Sequence, residues 1–436
     1  MTTQPLQWRP TNAPVASSRT DDIWFLDPAT GWAVNSNGQI LITTDGGATW
    51  TEQFRATAYL RCVGFANRMK GWVGALSESQ SLFHTVNGGE LWQRVNNLPA
   101  VAPVFICGLS VVNESVIYAS GTNEPEEPAR MIKSVDGGVT WTGWEMSEHA
   151  TLLVDCFFTS PERGWVVGGK AQVPNPTRDD VKPVVLFTED GGATWTDRVA
   201  NIQDQFPFGE WGWKIFFLDE KLGFISLENM TAGAILRTTD GGLTWKRLPI
   251  DDPQHNANLE GVGFADAKHG WVGGWGTADF KGGFSSETVD GGDHWSNANQ
   301  IGRFINRFRM FGNPATLGYA SGRTVYKYSA DPVIQPLAGL VQPLRILETN
   351  EPEESSGPVE IIYTAPEGAG HVTLDIWNRF GKYVRNLLDE DDPRPGRQTL
   401  IWNLEDNSGQ RVPPGAFIYR ITIDDEAESR IVIIKP

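Results

Sequence analysis

The stretch TTDGGATW, residues 43–50, returns along the chain as TVNGGELW (85–92), SVDGGVTW (134–141), TEDGGATW (188–195), TTDGGLTW (238–245) and TVDGGDHW (288–295). The common form is Ser/Thr-x-Asp-Gly-Gly-x-Thr-Trp, and each position has a mechanical reading. Paired glycines permit the positive φ values of a tight turn between strands. The acid is Asp45, Asp136, Asp190, Asp240 or Asp290, with Asn87 in the second copy. It is expected to accept hydrogen bonds from backbone N–H groups two residues on, as in an Asx turn. The Trp closes each box as an apolar anchor of roughly 150–250 Å². These six positions read as structural. A calcium loop of the EF-hand kind needs several carboxylates within about twelve residues, whereas here one acid is followed by two glycines.

Spacing sets the architecture. From Asp45 through Asn87, Asp136, Asp190 and Asp240 to Asp290 the intervals are 42, 49, 54, 50 and 50 residues, a period proper to a β-propeller of short strands. A second element precedes each box: DPATGW (27–32), NRMKGW (67–72), NESVIY (113–118), PERGW (161–165), DEKLGF (219–224) and DAKHGW (266–271), with NPATLGY (313–319) following the last box. That makes seven units for six boxes. The chain's start, PLQWRPTNAP, resembles the segment just after a box, and Trp8 stands 24 residues before Trp32, within the usual box-to-aromatic distance. The first residues are therefore expected to supply the outer strand of the last blade. Closing the ring this way removes exposed sheet edges. The predicted fold class is all-β: a seven-bladed β-propeller over residues 1–330, closed by the N-terminal strand and followed by a small immunoglobulin-like β-sandwich.

Composition agrees. Forty-seven Gly and 18 Trp suit a turn-rich β protein, and a formal charge of −17 opposes binding to nucleic acid or to an anionic membrane. No apolar run is long enough to span a bilayer, so direct membrane insertion is not expected. MTTQPLQWRP shows no signal peptide. Cys62, Cys107 and Cys156 are an odd number without CxxC spacing and read as buried thiols. The six His show no metal-ligand spacing, so no metal and no cofactor is expected.

Both repeated turns fall on one face of the ring, leaving variable connections on the other, where binding residues usually sit. The long loop 168–185, the connection 204–214 and GGWGTADFKGG (273–283) come from neighbouring blades. They offer Phe206, Phe208, Trp211, Trp275 and Phe280 beside Arg178, Asp179, Glu210 and Lys281, read as exposed aromatics rimmed by mixed charge, the composition of an interface. A second constellation, Asp22, Arg61, Asp155, Lys214, Glu260 and Arg307, falls on the innermost strands and is expected to line the axial channel. It reads either as mutually compensating charges in channel water or as a site at the axial mouth.

Residues 331–357, rich in Pro and acids, read as a linker. From 358 to 436, HVTLDIWN (371–378) and AFIYRITI (416–423) alternate apolar and polar residues, with turn signals at NRFG, DNSG and PPG. Several short strands in about 80 residues suggest a sandwich of immunoglobulin type.

The box and DxxxGW pairs resemble the Asp-box, or bacterial neuraminidase, repeats, and most of all the propellers of the photosystem II assembly and stability factor family. That resemblance covers residues 1 to about 330. It implies a non-enzymatic docking platform for protein partners, in a membrane or surface complex. DIWNRFGKYVRNL (375–387), LIWNLEDNSGQRVPPGAFIYRI (400–421) and RIVIIKP (430–436) resemble the immunoglobulin-like domain of the flagellar hook-capping protein (FlgD type). This second resemblance implies an exported or surface location, the cytoplasm being the alternative.

The competing reading is a secreted glycan-binding protein or a glycoside hydrolase. A sialidase needs a spread arginine triad, and Arg61, Arg303, Arg307 and Arg309 are bunched in two blades. A two-carboxylate hydrolase needs an acid and a base about 5–10 Å apart, for which Asp22, Asp155, Asp179, Asp180 and Glu260 are the candidates. No catalytic residue is assigned.

Overall fold

The computed structural model describes residues 5–14, 19–253, 256–277, 282–299, 301–331, 353–424 and 426–436. They form two units, a larger one up to residue 331 and a smaller one from residue 353. Almost every regular element is a strand, and among the described residues no helix is long and apolar enough to cross a membrane.

The larger unit holds seven four-stranded antiparallel sheets among its described residues. Sheet 1 shows the pattern: Thr20–Phe25, Gly31–Asn35, Gln39–Thr43 and Thr51–Arg55, taken in chain order. The first strands of sheets 2 to 6 are Tyr59–Phe65, Gly108–Val111, Leu152–Phe158, Glu210–Phe217 and Ala257–Phe264. Sheet 7 is built from Arg307–Gly312, Ala315–Ser321 and Val325–Ser329, with Gln7–Pro10 from the start of the chain as its fourth strand. Gln7 stands opposite Ser329 and Pro10 opposite Tyr326, antiparallel. The first strands neighbour one another from sheet to sheet, and Arg307–Gly312 lies against Thr20–Phe25. They are the innermost strands and are buried almost throughout.

The two repeated turns do different work. In DxxxGW the leading Asp or Asn makes the Asx turn. Asp27 Oδ1 accepts from the N–H groups of Ala29 and Thr30 at 2.8 Å each, and Asn67 Oδ1 accepts from Met69 and Lys70 at 2.8 and 2.9 Å. The Gly before the aromatic is dictated by close approach. A Cβ on Gly31 would lie 2.4 Å from the Phe25 ring, and one on Gly71 2.4 Å from the Phe65 ring. In sheets 1, 3 and 5 the aromatic that ends this element stacks on the Phe ending the next sheet's innermost strand. Trp32 lies 3.6 Å from Phe65, Tyr118 3.5 Å from Phe158 and Phe224 3.6 Å from Phe264. Tyr319 of sheet 7 stacks on Phe25 of sheet 1 in the same way, at 3.7 Å. Box Trp residues meet these Phe rings edge-on, as Trp92 meets Phe65 at 84°. The aromatics thus form the seams between sheets, where their large area counts most.

The boxes correct the expected hydrogen bonding. The box acid accepts from the residue four positions on, not two. Asp190 Oδ1 takes the Thr194 N–H at 2.9 Å and Oδ2 takes its hydroxyl at 2.6 Å. Thr188 Oγ1 donates to Asp190 at 2.8 Å and accepts from Gly192 N at 2.9 Å. The intervening glycines have φ of 73° and 96°, as the turn requires. In the second box Leu91 replaces the Thr and has no hydroxyl to donate. Asn87 Oδ1 there receives the Leu91 N–H at 3.0 Å and the Thr85 hydroxyl at 2.9 Å, both on one oxygen, so a neutral amide suffices. In the last box His294 donates through Nδ1 to Asp290 at 2.8 Å.

Hydrogen bonds from the Thr194 hydroxyl and N–H hold the Asp190 carboxyl at about 2, against an ordinary 3.8. Asp136 and Asp290 are lowered to about 2 in the same way. A folded-state value below the unfolded one stabilises above the unfolded pKa, and that contribution is lost as pH falls through the folded value. Asp190→Asn is therefore expected to destabilise at pH 7, with the gap to wild type closing between about pH 4 and pH 2. Urea midpoints measured across that range check this, and a gap that persists at pH 2 would refute it.

The smaller unit has a five-stranded sheet in the order Glu353–Ser355, Glu426–Ile434, Gly415–Ile423, His371–Asn378, Tyr383–Asp391, and a pair of strands, Val359–Ala365 with Gly396–Trp402. Val372, Leu374 and Ile376 alternate inward from one sheet and meet Ile361 and Trp402 from the other, forming one core. Residues 353–355, read from sequence as linker, are an edge strand parallel to Glu426–Ile434. The rest of that segment, 332–352, lies outside the described residues.

Candidate functional site

The innermost strands carry charge into the middle of the larger unit by means of β-bulges. Pairing with the second strand slips between Thr20 and Asp22, Leu60 and Cys62, Gly212 and Ile215, and Leu259 and Gly261. The residues in those gaps are Asp21, Arg61, Trp213 with Lys214, and Glu260. A bulge re-aims side chains that simple alternation would send elsewhere, so Asp21 and Asp22 both join the central cluster.

Two ion-pair groups result. In the first, Asp21 pairs with Arg19 at 3.1 Å and with Arg61 at 2.5 Å, receives the Tyr59 hydroxyl at 3.2 Å, and Arg19 also pairs with Glu260. In the second, Arg307 of sheet 7 reaches Asp22 of sheet 1 at 2.9 Å and grips both oxygens of Asp155 in sheet 4 at 2.8 and 2.9 Å. Lys214 Nζ lies 4.0 Å from Asp155. Backbone N–H groups complete it: Val63 and Ile23 donate to Asp22, and Ile215 donates to Asp155. Each group has two cations and two carboxylates.

Of the six residues expected at the axis, Arg61 and Glu260 fall in the first group and Asp22, Asp155, Lys214 and Arg307 in the second, and all six are buried. Asp155, Glu260 and Arg61 are fully inaccessible. Burial pushes the Asp155 carboxyl up, but the charges of Arg307 and Lys214 outweigh it and hold it below the usual range. Burial and then the neighbouring Arg307 push the Lys214 ammonium below an ordinary lysine. Sequence reasoning missed Arg19, Asp21, Tyr59 and Trp213, whose ring lies under Arg61 at 4.8 Å. The available signal was the adjacent pair Asp21 and Asp22 in the first innermost strand, preceded by Arg19.

The loop-face constellation needs correction. Trp211 and Trp275 are not exposed anchors but are 1% accessible, and Phe206 is buried against Val185 and Val199. The strands run further than the repeat pattern implied: Trp211 lies within Glu210–Phe217 and Trp275 within Gly270–Gly276. Arg178 covers Trp211 at 5.2 Å, and Arg19 covers Trp275 at the same distance. Glu210, also buried, is gripped by Arg247 at 2.6 and 2.9 Å. Arg178 pairs with Glu124 at 3.0 Å. Phe208 remains at the surface, 68% exposed, with the Lys182 ammonium 4.8 Å from its ring. Exposed Asp179 lies beside Gly209. Phe280 and Lys281 lie outside the described residues.

Trp211→Ala and Trp275→Ala are accordingly each expected to lower the melting temperature, by roughly 5 °C, because each empties a packed site. Calorimetry of the single variants decides this, and an unchanged transition would return these rings to the surface.

Among the described residues no group of three or more His, Cys, Asp or Glu is assembled to hold a metal. Cys62, Cys107 and Cys156 are buried and free.

Repeated four-stranded sheets joined by aromatic seams define the larger unit as a β-propeller, and its first part is similar to photosystem II assembly factors. Residues 1–122 match the family model for photosynthesis system II assembly factor YCF48. A curated relative, photosystem II assembly lipoprotein Ycf48 of Synechococcus sp. (strain CC9902), is 29% identical over 114 residues, 26% of this chain. The match spans 28% of that protein's length. Among solved structures, YCF48 bound to D1 peptide superposes with a TM-score of 0.53 at 16% identity, covering 76% of this chain and 99% of that one. YCF48 from Cyanidioschyzon merolae gives 0.54 at 18% identity, covering 74% and 99%. An ancestral GH74 enzyme gives 0.53 at 13% identity, covering 99% of this chain and 63% of its own. At such identities the structures speak for the fold alone.

Proposed function

We propose that the chain is a non-catalytic protein-binding platform and an accessory component of a larger assembly outside the cytoplasm. Its larger unit is a seven-bladed ring closed by the N-terminal strand, and its smaller unit is an immunoglobulin-like sandwich of the hook-capping (FlgD) type. One observation carries this reading over a hydrolytic one. Asp22, Asp155 and Glu260, three of the carboxylates offered for acid–base work, are buried and paired with Arg307 or Arg19. Asp180 is turned back onto Thr177. A carboxylate locked in a buried ion pair holds a charge in place and does not exchange a proton with a substrate. The family match of residues 1–122 and the peptide-bound relative add support, since a protein segment is the ligand named for that relative. The lipoprotein relative supports the extracytoplasmic placement.

The proposed contact lies on the loop face, where Phe208 stands exposed with Lys182 against its ring and Asp179 and Arg178 close by in sequence. A photo-reactive residue at position 208 should cross-link the full chain to a protein in native cells. Phe208→Ser should abolish capture of that same protein with the melting temperature unchanged. Release of sugars from a glycan library by the purified chain would overturn the proposal.

A further inference from the structure

The opposite ends of the strands, where boxes and DxxxGW turns lie, carry an apolar patch that the fold does not require. Met69, Val86, Leu91, Val135 and Val139 are each between 53% and 67% exposed. They sit on the turns of sheets 2 and 3, which adjoin one another. Met69 O accepts from Gly88 N of the second box at 2.9 Å, and a Cβ on Gly137 of the third box would lie 2.7 Å from Lys70 Nζ. The side chain of Asn97, just beyond the second box, donates to Val139 O at 2.7 Å. Box geometry does not demand these side chains. The same repeat positions hold Thr44 and Ala48 in sheet 1, and Glu189 and Ala193 in sheet 4.

Charge selects the occupant. Asp136, Glu90 and Glu114 stand among these residues. Hydrogen bonds from Thr140 hold Asp136 at about 2, so it is ionised at any physiological pH. Of the local cations, Arg68 is engaged by Asp27 at 2.8 Å, and Lys70 reaches toward the third box. The whole chain carries −17, so a second copy and an anionic lipid surface both meet repulsion.

We infer that this patch on sheets 2 and 3 is a second docking surface, and that it takes a cationic amphipathic protein segment whose Lys or Arg residues alternate with apolar side chains. The apolar side chains cover the five exposed residues and the cations meet the acidic rim. This surface is independent of the loop face, so either proposal can fail alone.

The probe is a short synthetic Leu/Lys amphipathic peptide, titrated into the full chain by fluorescence anisotropy. Binding is expected to weaken with salt and to fall at least about tenfold in Val86→Ser/Val135→Ser/Val139→Ser, while Phe208→Ser leaves it unchanged. The triple variant alters only exposed side chains and is expected to melt as wild type does. A Lys/Ser peptide of equal charge should bind at least about tenfold more weakly. Equal binding of the two peptides, or no loss in the triple variant, overturns the inference. So does sedimentation showing a dimer that the triple variant loses, or binding of the full chain to anionic phosphatidylglycerol vesicles through these residues.

Discussion

Replacing Arg307 with Met is expected to destabilise the larger unit by about 3–5 kcal/mol, the usual cost of stripping one partner from a buried ion pair. Arg307 binds Asp22 and both oxygens of Asp155, and all three side chains are buried. The variant would strip both carboxylates of their paired guanidinium, leaving Lys214, 4.0 Å from Asp155, and the neighbouring Arg309 as the cations nearby. Three sheets that are distant in sequence lose their common tie at once. Arg307→Lys keeps the charge but not the bidentate grip, and should fall between the two. Adding Asp22→Asn and Asp155→Asn to Arg307→Met should recover part of the loss, since much of it comes from uncompensated charge. Urea unfolding of the four proteins measures this. A loss of less than about 1 kcal/mol in Arg307→Met would mean that water reaches the cluster and screens it.

Removing residues 1–11 is expected to have an effect of the same order, for a different reason. Gln7–Pro10 is the fourth strand of sheet 7. Trp8, 6% accessible, touches Trp271, Phe308 and Tyr328 with ring centroids 5.2–5.5 Å apart. Emptying a buried Trp site costs about 3–5 kcal/mol, to which the lost ladder hydrogen bonds add. The melting temperature should therefore drop by roughly 10 °C. The truncated chain would also expose the edge of Val325–Ser329 and should aggregate more readily. Trp8→Ala in the full chain separates the two effects: it loses the packing but keeps the edge covered. Truncation that leaves the transition unchanged would show that the N-terminal strand does not hold the fold.

Much of the fold was legible because its signals are local and repeated. Box Asp and Gly residues, DxxxGW turns and strand aromatics each act within a few residues of one another, and six or seven copies make the pattern plain. The pairing of Gln7–Pro10 was legible too, since the distance from Trp8 to Trp32 matches the repeat. The finer hydrogen bonding was not. That the box acid reaches the residue four positions on, through Thr194 or His294, depends on how the turn folds back. Nor was the burial of Trp211 and Trp275 legible, because both sit near strand ends, and neighbours distant in sequence, Arg178 over one and Arg19 and Phe304 against the other, help cover them.

The sequence by itself determined the all-β class, the repeat period, the turn chemistry and the presence of charge on the innermost strands. Those features come from side chains acting on their own backbone, or from a regularity that many copies make visible. Tertiary structure alone decided that seven of those charges, with Arg19 just ahead of the first strand, cancel in two buried groups. Arg307, Asp22 and Asp155 come from sheets 7, 1 and 4, and the bulge that brings Asp21 in beside Asp22 breaks the alternation that a linear reading relies on. Charge balance in a buried cluster is a property of distance in space, and nothing local in the chain encodes it.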